Sequence, residues 1–213
     1  MTCIGKVRGW RSLSLNKLRT KFRIAATLLV TTLALATSDA QARKTGAIRT
    51  QRVDMIVIHS TGGPTCDAAT GKPIWVGAGT LDDNLRHIEA HPVLGIHYMI
   101  DRDGTLRTSV PEGQVAHHVY SFSQRSIAIE LINDGDGRDP FPEAQITSLV
   151  KLLRDIRQRH AIPRAGIKRH SDLDTAPLPC DKTQRRKVDP GGAFAFESVL
   201  DRVFAPHGLH NER

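Results

Sequence analysis

The sequence predicts one α/β domain, with a mixed central β-sheet flanked by helices. Two observations carry this. Short apolar segments of strand character alternate, unevenly, with segments of helical periodicity. One pair of strand-like segments is joined by a tight-turn sequence, so at least one neighbour in the sheet is antiparallel. No internal repeat or low-complexity segment interrupts the pattern.

Each element has a local reason. DMIVIHS (54–60) reads as a buried strand that reaches His59 near its end. TGGPTCDAATGKP (61–73) reads as a loop from its Gly and Pro content. Thr80 reads as the N-cap of LDDNLRHIEAH, with acids in the first turn. GIHYMID (95–101), the turn RDG and TLRTSV (105–110) read as a hairpin, because Asp103-Gly104 suits a tight turn. SIAIELIN (126–133) reads as a strand, and NDGDGRDPFP as a long turn. Pro142 suits the first position of a helix running through His160. Ile146, Leu149, Val150, Leu153 and Ile156 form its apolar stripe. Ile167 leads into RHSD, then a Pro-rich loop and KVDPGG. A last helix near 193–204 gathers Phe196, Val199, Leu200 and Val203 on one side.

The chain has 213 residues and a formal charge of +8. Lys6, Arg8, Arg11, Lys17, Arg19, Lys21 and Arg23 stand in the first 42 residues against one acid, Asp39. IAATLLVTTLALA follows, then an A-x-A ending at Ala42. A basic stretch, a short apolar run and a small-residue site describe a cleaved signal peptide over 1–42. The apolar run is shorter than the ~20 residues of a membrane span, so no stable membrane insertion is expected after cleavage. The expected location is the periplasm or the outside of the cell. The basicity belongs to this leader, and no Arg-rich stripe interleaved with aromatics points to nucleic acid. Residues 43–53 read as a short lead-in, 54–205 as the functional domain and 206–213 as a tail. Cys66 and Cys180, an even pair in an exported chain, suggest a disulfide.

Glu130 poses the chemical question. Ile127, Ile129 and Leu131 share one face of the strand, and Ala128, Glu130 and Ile132 share the other. A carboxylate in an apolar strand is either paired or at work. His59, His170 and Asp189 offer two imidazoles and a carboxylate, a common catalytic zinc set that leaves a fourth position for water. Taken alone the grouping is one of many triples among ten His and numerous acids. No G-x-S-x-G or H-E-x-x-H is present, and a Ser60–His59–Asp172 arrangement lacks a nucleophile elbow.

IVIHST (56–61), GIHYMIDRDGT (95–105), AHH (116–118), SIAIELIN (126–133), RHSD (169–172) and RKVDPG (186–191) occur in that order. With these segments the chain resembles the type-2 family of zinc-dependent N-acetylmuramoyl-L-alanine amidases. Phage lysozyme-amidases and peptidoglycan recognition proteins share that fold. The resemblance implies a site for one zinc ion on His59, His170 and Asp189. It implies Glu130 as the catalytic carboxylate, Lys187 as the catalytic lysine and His118 as a residue lining the substrate groove. It implies peptidoglycan or a muropeptide as substrate, cut between N-acetylmuramic acid and L-alanine. The alternative it leaves is a peptidoglycan-binding recognition protein without catalysis. A third is another amide hydrolase acting on a small peptide.

Bland readings stand beside these. Glu130 pairs with a nearby arginine; Lys187, in Arg185-Arg186-Lys187, belongs to a solvated charged face; Asp172 is the carboxylate ligand in place of Asp189. His97 is structural or lines the groove, and His87, His91, His160, His207 and His210 are surface residues.

Overall fold

A strand buried on both faces must be apolar nearly throughout, and β1 (Met55–Ser60) is such a strand, with all six residues buried. It occupies an interior place in a five-stranded sheet. This is a computed structural model, and it describes residues 44–206. The leader expected over 1–42, His207 and His210 lie outside the described residues.

β1 pairs in parallel with β6 (Ser126–Leu131) on one side and β7 (Ile167–Arg169) on the other. β4 (Tyr98–Ile100) adds in parallel to β6, and β5 (Leu106–Thr108) closes that edge antiparallel to β4. The sheet is mixed, as the sequence predicts. Gly104 makes the β4–β5 turn at φ +87°, a conformation that favours glycine.

Helices cover both faces. Ile56, Ile58, Ile127, Ile129 and Leu131 pack against α2 (Glu143–His160) and α4 (Phe196–Phe204). The second helix contributes Leu149, Leu153 and Ile156, all fully buried. Truncating Leu153 to Ala should cost ~2–5 kcal/mol. On the opposite face, Ala128, Met99 and Ile132 pack against Leu81 and Leu85 of α1 (Leu81–Ala90). Thr80 caps α1, its hydroxyl accepting from the Asp83 amide at 3.1 Å. Glu130 follows Ala128 on the α1 side, as two-residue alternation requires.

Three details differ from expectation. Within 61–73 and just beyond, β2 (Gly63–Cys66) and β3 (Pro73–Val76) form an antiparallel ribbon. Two strands tolerate Pro64 and Pro73 because each has a free edge, so Gly and Pro there mark a ribbon as well as a loop. Pro142 is the N-cap of α2 and not its first residue, so the helix starts one place later than predicted, at Glu143. The last helix begins at Phe196, because 193–195 turn into it.

The described lead-in is tied down. Lys44 Nζ donates to the Ile88, His91 and Leu94 carbonyls around the end of α1. The Arg49 guanidinium donates to the Glu112, Ser123, Gln124, Gln114 and Ser126 carbonyls. A short ribbon of β8 (Pro177–Leu178) and β9 (Asp181–Arg185) precedes Lys187 and Asp189. Cys66 and Cys180 form the disulfide that joins this ribbon to the β2–β3 ribbon, with Cα atoms 5.9 Å apart.

Candidate metal centre

In an open sheet, sites form beyond the carboxyl ends of parallel strands, and His59 and Glu130 lie near those ends of β1 and β6. They are partners in the parallel register. His170 opens α3 (His170–Leu173) directly after β7, the other neighbour of β1. Asp189 follows β9, and its carbonyl accepts from the Ser171 amide at 3.0 Å, which fastens its loop to α3. Gly191 sits at φ +90°, and a Cβ there would meet the Gly135 carbonyl oxygen at 2.5 Å. Only glycine lets the loop after Asp189 lie against the loop after β6.

Three donor atoms converge. His59 Nδ1 lies 2.9 Å from His170 Nδ1, and Asp189 Oδ2 lies 3.3 Å from the first and 3.0 Å from the second. All three residues are buried. Ligand bonds of ~2.0–2.1 Å in a tetrahedron place donor atoms roughly 3.3–3.4 Å apart. The triad is therefore close to the spacing that a small divalent cation needs, with a borderline-soft N/N/O donor set. Burial holds His59 neutral and able to donate a lone pair, lowering its pKa to about 4, with the neighbouring His170 acting in the same direction. Burial pushes the Asp189 carboxyl up, but the two imidazoles beside it, His170 before His59, outweigh burial and hold it far below the usual carboxylate range.

Glu130 stands beside this triad, partly exposed at its outer edge. Burial raises its pKa to about 8, Asp189 adds to the rise and Lys187 opposes it. No arginine pairs with it among the described residues; Lys187 is the cation that acts on it. A cation on the triad would pull its pKa down further in the direction of Lys187.

Lys187 is separated in role from the two arginines before it. Arg185 donates to the Ser171 and Asp174 carbonyls, and Arg186 pairs with the buried Asp174 carboxylate at 2.6 Å. Arg186 also reaches an open cleft of about 540 Å³, which Lys187 lines together with Leu94, His118, Tyr120 and His170.

His117 and His118 both line this cleft, but they differ in burial. His117 is exposed, while His118 turns inward and its Nδ1 lies 2.9 Å from His59 Nε2. His118 thus both lines the cleft and touches a triad residue. Behind it, Ser126 Oγ lies 2.9 Å from His118 Nε2. Sequence reasoning missed Ser126. The signal was present: Ser126, Ala128 and Glu130 alternate onto one face of β6.

The other candidates fall elsewhere. Asp172 accepts from the Arg169 amide at 3.0 Å and pairs with its guanidinium, so it caps α3 and is no member of the triad. Ser60 adjoins His59 on a strand and points to the opposite face, which breaks the Ser60–His59–Asp172 grouping. His97 is structural: fully buried, its Nδ1 accepts from the Ala128 amide at 3.0 Å. His87 is exposed as expected. His160 and His91 are not free surface residues. His160 pairs with Glu112 at 2.7 Å, and His91 Nδ1 accepts from the Val93 and Leu94 amides.

The Amidase_2 family model, described as N-acetylmuramoyl-L-alanine amidase, matches residues 49–192. The chain is 28% identical over 173 residues to the 1,6-anhydro-N-acetylmuramyl-L-alanine amidase AmpD of Haemophilus influenzae, covering 72% of this chain and 84% of that one. It is 29% identical over 97 residues to an endolysin of Enterobacteria phage K11, covering 43% and 62%. Among solved structures, AmiD from E. coli, in complex with anhydro-N-acetylmuramic acid-L-Ala-D-gamma-Glu-L-Lys, superposes with a TM-score of 0.55 at 24% identity, over 71% of this chain and 58% of that one. The amidase LysC of Clostridium intestinale gives a TM-score of 0.51 at 21% identity, over 75% and 97%. At such identities the structural matches speak to the fold.

Proposed function

Because the chain belongs to the N-acetylmuramoyl-L-alanine amidase family, we propose that its buried triad and Glu130 hydrolyse the amide between N-acetylmuramic acid and L-alanine. Peptidoglycan or its soluble muropeptides are the substrate. The observation that carries this reading is the register pairing of His59 with Glu130 beside three converging donor atoms. The relative AmpD and the AmiD complex, which holds an anhydro-muropeptide, support the substrate class.

His59, His170 and Asp189 would hold one zinc ion. When bound, zinc supplies Lewis acidity, which lowers the pKa of water to near ~7 and polarises a carbonyl. The chain's own residues do the rest. Glu130 takes the proton of the attacking water and delivers it to the departing L-alanine amine. Lys187 faces the cleft and places its positive charge where the amide oxygen gains negative charge. Burial of His59 and the ionised state of Asp189 keep both in their donor forms. His118 and Tyr120 shape the cleft wall on which a glycan or stem peptide would lie.

Export to the periplasm or beyond follows from the leader pattern of residues 1–42 and suits a substrate that lies outside the inner membrane. Among the described residues no helix is long and apolar enough to cross a membrane. The non-catalytic recognition reading is not favoured, since the triad and Glu130 are all in place.

The test is direct. Purified, zinc-loaded protein is incubated with peptidoglycan and with soluble muropeptides, and the products are read by mass spectrometry. Free stem peptides beginning at L-alanine are expected, together with loss of activity on chelation and its return with zinc. Tight binding without cleavage, in protein proven to hold zinc, would overturn the reading.

A further inference from the structure

The hydrogen bonds behind His59 can run in only one direction. The Phe122 carbonyl oxygen carries no proton, so Ser126 Oγ, 2.8 Å away, donates to it. That uses the single proton of the hydroxyl. His118 Nε2, 2.9 Å from the same Oγ, is then the donor in that pair. A neutral imidazole has one N–H, so His118 Nδ1 is bare. It accepts from His59 Nε2, 2.9 Å away. His59 therefore carries its proton on Nε2, and its Nδ1, the atom beside His170 and Asp189, is bare.

We propose that Ser126 and His118 form a positioning relay that locks His59 in its Nε2–H tautomer and so presents a bare Nδ1 to the metal. The proposal rests on the metal reading of the triad. Its surroundings suit the task. Ser126 is fully buried, so water does not compete for its hydroxyl. Ser123 fixes the backbone of the relay: its Oγ accepts from the His118 and Val119 amides at 3.2 Å and donates to the Val119 carbonyl at 2.7 Å. The His118 ring is thus held at its backbone, at Nε2 and at Nδ1. If the hydroxyl of residue 126 is lost, His118 can take the Nδ1–H form. It then no longer accepts from His59, and His59 is free to place its proton on the metal side.

The experiment compares the wild type with S126A, S126T, H118N and the double variant H118N/S126A. Nitrogen-15 NMR of the metal-free proteins reads the His59 tautomer. Competition with a chromogenic chelator reads zinc affinity, and thermal melting reads stability. The wild type should show His59 protonated on Nε2 alone. S126A should give mixed tautomers and a 10–100-fold loss of zinc affinity, the loss seen when outer-shell partners are removed. S126T keeps the hydroxyl and should restore both. In H118N the amide oxygen can accept near the place of Nδ1 without help from residue 126. Adding S126A to H118N should then change zinc affinity by less than about twofold. If the methyl of S126T does not fit the buried position, the H118N pair decides. A single Nε2–H tautomer and wild-type zinc affinity in S126A would overturn the relay. So would a lower melting point with both unchanged, which would assign the hydroxyl to packing. If the wild type itself binds no zinc, the metal reading fails, while the tautomer measurement still tests the relay.

Discussion

His59 and Glu130 stand side by side on two parallel strands, partners in the β1–β6 register. Neighbouring strands in such a sheet lie ~4.8 Å apart. A carboxylate on the same face as a triad histidine, one strand away, is within reach of whatever the triad holds. The alternation that puts Glu130 on the α1 side also puts Ala128 there, buried in the core against α1.

E130Q keeps the shape of the side chain and removes its ability to take a proton. Turnover should fall by roughly 10²–10⁴-fold, the usual contribution of a positioned acid–base. Zinc content, measured by metal analysis, should remain at the wild-type level. Near-normal turnover in the variant would remove Glu130 from the mechanism.

Lys187 is expected to act on the transition state. K187A should lower kcat roughly 10²–10³-fold, about 3–4 kcal/mol, as when one oxyanion contact is lost. Melting point and zinc content should hardly move, because Arg185 and Arg186 anchor that segment. A fall in zinc affinity as large as the fall in kcat would instead make Lys187 part of the metal environment.

The Cys66–Cys180 bond closes a loop of 114 residues in sequence separation. In the chain-entropy account a loop of that size is worth about 4–5 kcal/mol. C66S/C180S, or reduction of the wild type, should lower the melting point by several degrees or more. Equal melting of the oxidised and reduced forms would show that the native contacts alone hold the two ribbons.

Glu112 makes the fold sensitive to acid. Burial raises its pKa, but hydrogen bonds from Arg159, Tyr98 and His160 outweigh burial and bring it to about 2. A carboxyl with a depressed folded pKa contributes stability that is complete above its ordinary value of 4.5 and is lost as pH falls toward 2. The full contribution is roughly 3 kcal/mol. Melting of the wild type and E112Q, followed from pH 6 down to about 2.5, should converge at the acid end. A gap between them that stays constant with pH would mean that the carboxylate charge is not what counts.

Much of the site is legible in local pattern. IVIHST and SIAIELIN announce buried strands that carry His59 and Glu130 on the site face, and their motifs carried the family and the triad. What needed the tertiary structure is of another kind. Asp172 and Asp189 are both carboxylates near His170, yet only the loop held by the Ser171 amide turns Asp189 inward. The ribbon over 63–76 was hidden because Gly and Pro are read locally as loop, while the pairing that makes it a ribbon is between positions far apart.

The sequence by itself determined which residues alternate onto which face, which segments form the long helices, and which side chains have the chemistry for a metal and a proton transfer. These are short-range matters, settled by the two-residue period of a strand, the caps of a helix and the kind of atom a side chain ends in. Only the tertiary structure decided that β1 lies between β6 and β7, so that His59 meets Glu130 on one side and His170 on the other. Only it set His118 against His59 and placed Ser126 behind it. Contacts between positions tens of residues apart depend on strand order and register, which the whole core selects by burying its apolar faces together.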